Sequence, residues 1–556
     1  MTKKFFAKFL ISTIIFSVWT TSLAQAPKKV ASNVKSASFG NIEAITAKQL
    51  KDYLTFIASD ELEGRDTPSR GLDIAAKFIA SHLSTWGIKP AANDGTYFQK
   101  IPLVRKKINS AESRIELGDQ TYSYGDDFLA QSFAGSAEGH LIFVGNGWFI
   151  KSKNINAYQN IDVKGKIVVT TNTFPKGTGF DDLKGKPGVD WASPGIYAQQ
   201  HGAKAIINLP SFNGLLNWQT NRQNQIEKGS VDRAWQDNTG NAAIRSAIIP
   251  IITASPKLAA AIFQGEKSSG GNLIGRAWAG EAIDGFDLKP EKKIKITVGV
   301  SAKPESTQNV VGILEGSDPI LKNEYVVIGA HYDHVGVGSP VNGDTIYNGA
   351  DDDGSGTVSV MAIAEALSKG TPFPKRSVLF IWHAAEEKGL WGSEYFADHP
   401  VIPINSIITQ LNVDMIGRAQ KPGDENHPQN KEMAKPGEIF VVGSRMMSTE
   451  LGALSESVNK SFLNMSFNYK YDAPDDPEQI FYRSDHYNYA KKGIPIIFYS
   501  DGVYDDYHQP SDEIEKINFE QMEKVARTIM ATAWELANRP TRPKVDKQLP
   551  AQTAEN

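Results

Sequence analysis

Ser377-Val-Leu-Phe-Ile-Trp-His383, followed at once by Ala384-Ala385-Glu386-Glu387-Lys388-Gly389, is the stretch from which the fold is read. The first seven residues are apolar and rich in strand formers, and two adjacent acids stand where the strand runs out. Side chains alternate along a strand, so the two carboxylates point in different directions. One is free to hold a metal while the other faces a substrate as a proton carrier. From Gln308 onward, strand and helix signals alternate on both sides of this stretch. That order predicts an α/β fold with a mostly parallel central sheet flanked by helices. Further strands are expected at Tyr325–Gly329, Ile407–Leu411 and Pro495–Tyr499, and helices at Thr357–Ser368 and Phe519–Ala537. The last helix opens with Asn518-x-x-Gln521, a capping-box variant, and carries Met522, Val525 and Ile529 on one face.

Upstream, Leu50, Tyr53, Leu54 and Ile57 have helical spacing, and Ile74, Ala75, Phe78 and Ile79 repeat it across the polar loop Asp60–Gly71. Between Ser110 and Pro290 the pattern changes to short β-like runs such as Leu141–Gly145, Lys166–Thr170 and Lys204–Asn208, separated by Gly and Asn turns. The histidines there, His140 and His201, stand alone and read as surface or structurally satisfied residues. The expected organisation is a first segment of the α/β domain at 40–109, a β-rich insert at 110–290, the main segment of that domain at 300–540 and a flexible tail at 541–556.

The chain has 556 residues, enough for two or three domains, with 40% apolar and 22% charged residues. A net charge of -4, without basic runs, argues against nucleic acid as a partner. Lys3, Lys4 and Lys8 precede the apolar run Phe9–Trp19, and Ser22-Leu23-Ala24 follows. This is the order of a signal peptide cleaved after Ala24, predicting export to the periplasm or medium with no membrane span thereafter. Cysteine is absent. That excludes disulfides, thiolate zinc sites and a cysteine nucleophile, so any metal must be held by His and carboxylates. Such a set suits zinc, with cobalt or manganese as substitutes.

Five candidate ligands end strands or sit in the loops beside them: His331, Asp352, Glu387, Asp414 and His508. In open α/β sheets ligands gather beyond the carboxyl ends of strands. Two His and three carboxylates hold two divalent ions if one carboxylate bridges. Taken singly, each has an ordinary reading: Asp352 lies in the acidic triplet Asp351–Asp353, which could be a solvated loop, and a lone Asp after a strand is commonly a turn or cap residue. The conjunction of all five is what points to a site.

The motifs Gly329-Ala-His331-Tyr-Asp333, Gly349-Ala-Asp-Asp352-Asp-Gly-Ser-Gly356, Ala385-Glu386-Glu387-x-Gly389-Leu-x-Gly-Ser393, Asn412-Val-Asp414-Met and Tyr507-His508-x-Pro-x-Asp512 resemble the co-catalytic di-zinc aminopeptidase superfamily, which includes glutamate carboxypeptidases, glutaminyl cyclases and the transferrin receptor. The resemblance extends to the front segment Leu50–Pro102. The insert, with Asp162-Val-Lys-Gly-Lys-Ile-Val-Val and Gly202-Ala-Lys-Ala-Ile, looks like a protease-associated domain.

By position, the resemblance implies one zinc on His331 and Asp414, a second on Glu387 and His508, and Asp352 bridging them. It implies that Asp333 orients the His331 ring, that Glu386 is the general base toward a metal-bridging hydroxide, and that Tyr507 helps stabilise the oxyanion. It also implies a cis peptide at Asp352–Asp353. Because this set fills both metal shells, His334 and His383 are expected to be local structure. Ser484-Asp485-His486 is either pocket wall or structural, and Arg418, Arg445 and Arg483 are candidates for a substrate carboxylate or for surface charge. The implied activity is an aminopeptidase acting on peptides. A carboxypeptidase or dipeptidase of the same superfamily stays open, since the sequence offers both cations and acids for a peptide end. A glutaminyl cyclase and a non-catalytic receptor-like protein are the remoter alternatives.

Overall fold

The computed structural model describes residues 39–183, 185–235 and 249–549. The stretch read as an export signal and the end of the tail lie outside the described residues. Among the described residues, the centre of the α/β part is four parallel strands, in the spatial order Ile496–Ser500, Ile407–Val413, Tyr325–His331, Ser377–His383. Antiparallel strands flank them, Glu438–Val442 beside Ile496–Ser500 and the end of Lys293–Leu314 beside Ser377–His383. Each parallel strand falls where the run of Val, Ile and Phe predicts it, since strands buried on both faces read as continuous apolar runs.

Alternation divides those runs between two cores. Val326, Ile328 and Ala330 face a layer built from the helices Ala47–Ile57, Arg70–Thr85, Gly356–Lys369, Thr449–Ser461 and Phe519–Asn538. Val327, Leu379 and Ile381 face the opposite layer, with Phe396 of the helix Trp391–Asp398 and Tyr489 of the helix His486–Ala490. The molecule is therefore mixed α/β, with a large sheet covered on both faces. The strand order reverses at Tyr325–His331: the chain moves to Ser377–His383 on one side, then crosses to Ile407–Val413 on the other. A crevice at the carboxyl ends of the strands is the expected result.

Two long antiparallel strands, Phe98–Leu117 and Lys293–Leu314, run out of this sheet, paired from Phe98 opposite Val310 to Asn109 opposite Gly299 and, after a shift of register, from Arg114 opposite Thr297 to Leu117 opposite Ile294. Between them lies a second sheet in which Leu141–Phe143, Ile167–Thr170, Ala205–Asn208 and Ile251–Thr253 pair in parallel. It has its own apolar core around Phe143, Val169, Ile207 and Phe263. Against the α/β part, Arg233 pairs with Glu394, and Trp235 meets Tyr395 edge to face at 5.1 Å. In the segment expected to be a flexible tail, Asp546 accepts from the Thr449 amide at 3.0 Å and Leu549 packs on the second core layer.

The polar loop after the first helix has an unexpected buried member. Arg65 is fully buried, its guanidinium donating to the carbonyls of Ile57 at 2.5 Å, Tyr332 at 2.9 Å, Asn348 at 2.7 Å and Gly349 at 3.0 Å. One planar fork thus ties the front segment to the loops after His331 and before Asp352. Lysine, a point charge with three rotatable donors, cannot reproduce it. Arg65→Met is expected to leave these carbonyls unsatisfied and to cost about 3–5 kcal/mol in urea unfolding, with Arg65→Lys rescuing only part.

Candidate metal centre

All five predicted ligands converge at the carboxyl ends of the parallel strands. His331 ends its strand, Asp414 and Glu387 follow theirs, Asp352 lies in the turn before the helix Gly356–Lys369, and His508 lies eight residues past Ser500. Nε2 of His331 is 3.3 Å from Asp352 Oδ1 and 3.5 Å from Asp414 Oδ1. Nε2 of His508 is 3.1 Å from Asp352 Oδ2 and 3.0 Å from Glu387 Oε2. Asp352 therefore stands between two clusters, one oxygen turned to each. The Asp352–Asp353 peptide is cis, as the resemblance implies.

The surroundings fix each group. His331 Nδ1 lies 3.1 Å from the Asp333 carbonyl, which turns Nε2 toward the carboxylates of Asp352 and Asp414. The Asp333 carboxylate is farther from that nitrogen, at 3.8 Å, and accepts instead from Thr67 Oγ1 at 3.0 Å and the Glu386 amide at 3.2 Å. Asp414 Oδ2 accepts from the Ser484 hydroxyl at 2.6 Å, and Ser484 accepts from Asn412 at 2.9 Å. The acidic triplet is no solvated loop: all three residues are buried. Asp351 accepts from the Gly417 amide and the Tyr504 hydroxyl, and Asp353 from the amides of Gly356 and Met415. Asp512 Oδ2 accepts the amides of both Asp351 and Asp352, at 3.0 and 3.1 Å.

Burial pushes the Asp352 carboxyl toward its neutral form, but the imidazoles of His331, His508 and His334 overcome it and hold the group well below the usual carboxylate range. Glu387, opposed by burial and by Asp352, is brought down to about 2 by His334 and His508. Glu386 goes the other way: burial pushes its carboxyl well above the usual range, His331 opposes, and Glu387, Asp414 and Asp485 add to the rise. The adjacent acids are thus driven apart, the pattern by which a ligand and a proton carrier are told from each other.

Asp352 Oδ2, Glu387 Oε1, His508 Nε2 and both ring nitrogens of His334 are buried without a hydrogen-bond partner. Orphaned carboxylate and imidazole atoms facing one another fit divalent cations, which would satisfy them together. The ligand atoms fall into two groups, His331, Asp352, Asp414 and His334, Asp352, Glu387, His508. His334, which the sequence leaves as local structure, falls in the second group beside Glu387, 53 positions away. His383 is buried in the floor of the site, with Nε2 3.0 Å from the Tyr489 hydroxyl and Nδ1 3.2 Å from Asp485.

A cleft of about 510 Å³ opens over the centre. Glu386, Asp352, Asp414 and His331 line its polar end, Met415, Ile480, Phe498 and Val503 an apolar wall, and Tyr507 and Arg483 also reach it. The Arg418 candidate is corrected: it is neither surface charge nor open to a substrate. It is buried, 2.8 Å from Asp506 and 3.5 Å from Asp512, with its guanidinium over the Tyr504 ring. Arg445 pairs with Glu456.

The sequence model of Peptidase family M28 matches residues 309–533. A leucine aminopeptidase 1 from Pyrenophora teres f. teres is 28% identical over 255 residues, covering 44% of this chain and 59% of that protein. A probable leucine aminopeptidase 2 from Aspergillus oryzae is 33% identical over 183 residues, covering 30% of this chain and 34% of that protein. The chain thus spans less than two thirds of these relatives. In fold, it is similar to an aminopeptidase from Aneurinibacillus sp. strain AM-1, with 18% identity, a TM-score of 0.50, and coverage of 93% and 98% of the two chains. It is likewise similar to BSAP, a zinc aminopeptidase from Bacillus subtilis, with 17% identity, a TM-score of 0.51 and coverage of 91% and 99%.

The floor of the cleft carries a pH-sensitive support. His486 is buried, stacks on Phe498 at 4.6 Å and bonds through Nε2 to the Phe481 carbonyl at 2.7 Å. Burial pushes its imidazole down to about 4, against the opposing pull of Phe481 and Asp485. The folded pKa is depressed below the unfolded value near 6.5, so this stability is present above about 6.5 and lost as pH falls through 4. Between pH 7 and 4, in excess chelator, the parent chain should lose up to about 3 kcal/mol more in urea unfolding than His486→Gln.

Proposed function

We propose, from the match of residues 309–533 to Peptidase family M28, that the chain is a zinc aminopeptidase that removes N-terminal residues from peptides. His331 and Asp414 would hold one zinc, Glu387 and His508 the other, and Asp352 would bridge. When bound, the ions supply Lewis acidity toward the peptide carbonyl oxygen and acidify water. The observation that carries the reading is the divergence of Glu386 from Glu387: one carboxyl faces the cleft with a raised proton affinity, the other faces the imidazoles as an anion.

Glu386 would take a proton from the attacking water as its oxygen bonds to the carbonyl carbon, then pass it to the nitrogen as the C–N bond breaks. Tyr507 lines the same cleft, and burial together with Asp352, Glu386 and Glu387 raises its phenol far above the ordinary value. It would stay protonated and serve as a hydrogen-bond donor to the developing oxyanion. The wall of Met415, Ile480, Phe498 and Val503 suits an apolar first side chain. The names of the leucine aminopeptidase relatives agree with that preference.

A carboxypeptidase would need a fixed cation for the terminal carboxylate. Of the three arginines considered, only Arg483 lines the cleft. We further propose export by the N-terminal segment ending at Ala24, and that the insert at 110–290, a protease-associated-like unit, limits which peptides reach the cleft.

The test is a panel of leucyl peptides with free and acetylated N-termini, assayed with the parent chain and Glu386→Gln while bound zinc is quantified. Free peptides should lose their first residue, acetylated ones should survive, and Glu386→Gln should keep two zincs while turnover falls by about 10²–10⁴. Release of C-terminal residues, or near-normal turnover in the variant, would contradict the proposal.

A further inference from the structure

We infer that His334 is a sixth protein ligand, so that the centre holding Glu387 and His508 is closed by four side chains and the centre holding His331 and Asp414 by three. The inference rests on the metal reading above and sharpens it.

His334 is fully buried; Nε2 has no hydrogen-bond partner, and Nδ1, although close to Glu387, lies outside hydrogen-bond alignment with it. An imidazole in that state is costly unless something else satisfies it. Its Nδ1 lies 2.9 Å from Glu387 Oε1 and 3.7 Å from Asp352 Oδ2, and its ring meets that of His508 edge to face at 5.5 Å. Its backbone is tied down by the amide bond to the Arg65 carbonyl at 3.2 Å. On one side the ring lies so close to Gly349 that a Cβ there would come within 2.6 Å of His334 Cγ and Cδ2. The ring is therefore seated between Gly349 and Glu387, its Nδ1 turned to the carboxylates. One ligand atom each from His334, Asp352, Glu387 and His508 fall within 4.8 Å of one another.

Two nitrogens and two oxygens make a complete tetrahedral set for zinc, whereas three protein ligands leave a position open. The consequence is a division of labour. With four side chains around it the ion beside Glu387 would be the more enclosed, and the ion beside His331 and Asp414, with three, would keep the more open position, at the end of the cleft that Glu386 lines.

Zinc K-edge X-ray absorption of the full chain loaded with two zincs counts the imidazoles directly. Three imidazoles per two zincs are expected in the parent, and two in His334→Gln. A residue that only positions Glu387 would leave the count at two in both proteins. Two imidazoles per two zincs in the parent would overturn the inference while leaving the metal reading intact. Failure of the parent to bind two zincs would overturn that reading and the inference with it. The parent measurement alone decides if the variant does not fold.

Discussion

Asp352 has to present one carboxylate to two clusters of imidazole and acid at once, and the rest of the site is arranged around that demand. Its oxygens lie 3.3 Å from His331 Nε2 and 3.1 Å from His508 Nε2, in a place where burial opposes its charge. A carboxylate can stay charged there only if its position is fixed and the opposing partners are close. Hydrogen bonds from buried side chains fix the loop. Asp512 grips the amides of Asp351 and Asp352, Asp351 and Asp353 accept the amides of Gly417 and Met415 from beyond the neighbouring strand, and Arg65 holds the carbonyls just upstream. The acids of the triplet that turn away from the centre anchor the loop, which leaves Asp352 free to face inward.

The sheet supplies the other half of the constraint. Its parallel strands are packed on both faces, so their carboxyl ends are rigid, and each delivers a residue to the same crevice. The reversal of strand order at Tyr325–His331 opens that crevice where His331 and Asp414 emerge from adjacent strands. Ser484, on a separate segment, then fixes the Asp414 carboxylate. Rigid strands place the donors, and the polar contacts aim them.

Much of this is legible in the sequence, for a physical reason. Buried parallel strands need unbroken apolar runs, so Tyr325–His331, Ser377–His383 and Ile407–Val413 announce themselves, and with them the residues at their ends. The conjunction of two His with three acids at those ends is visible for the same reason. What stays hidden depends on contacts between distant residues that demand no particular sequence. Arg65 donates to main-chain carbonyls, which every residue has, so its loop reads as polar surface. Arg418 is neutralised by Asp506 and Asp512, nearly a hundred positions on, and nothing local marks it as buried. His334 looks redundant once five ligands are counted, because its facing of Glu387 arises only when two loops meet.

The central claim is that one buried aspartate joins two cation sites. Anomalous diffraction on either side of the zinc absorption edge, from crystals of the zinc-loaded chain, tests it most directly. Two peaks about 3.5–4 Å apart are expected, one against His331 and Asp414, the other against Glu387 and His508, with Asp352 between them. A single peak, or two peaks that do not share Asp352, would contradict the account.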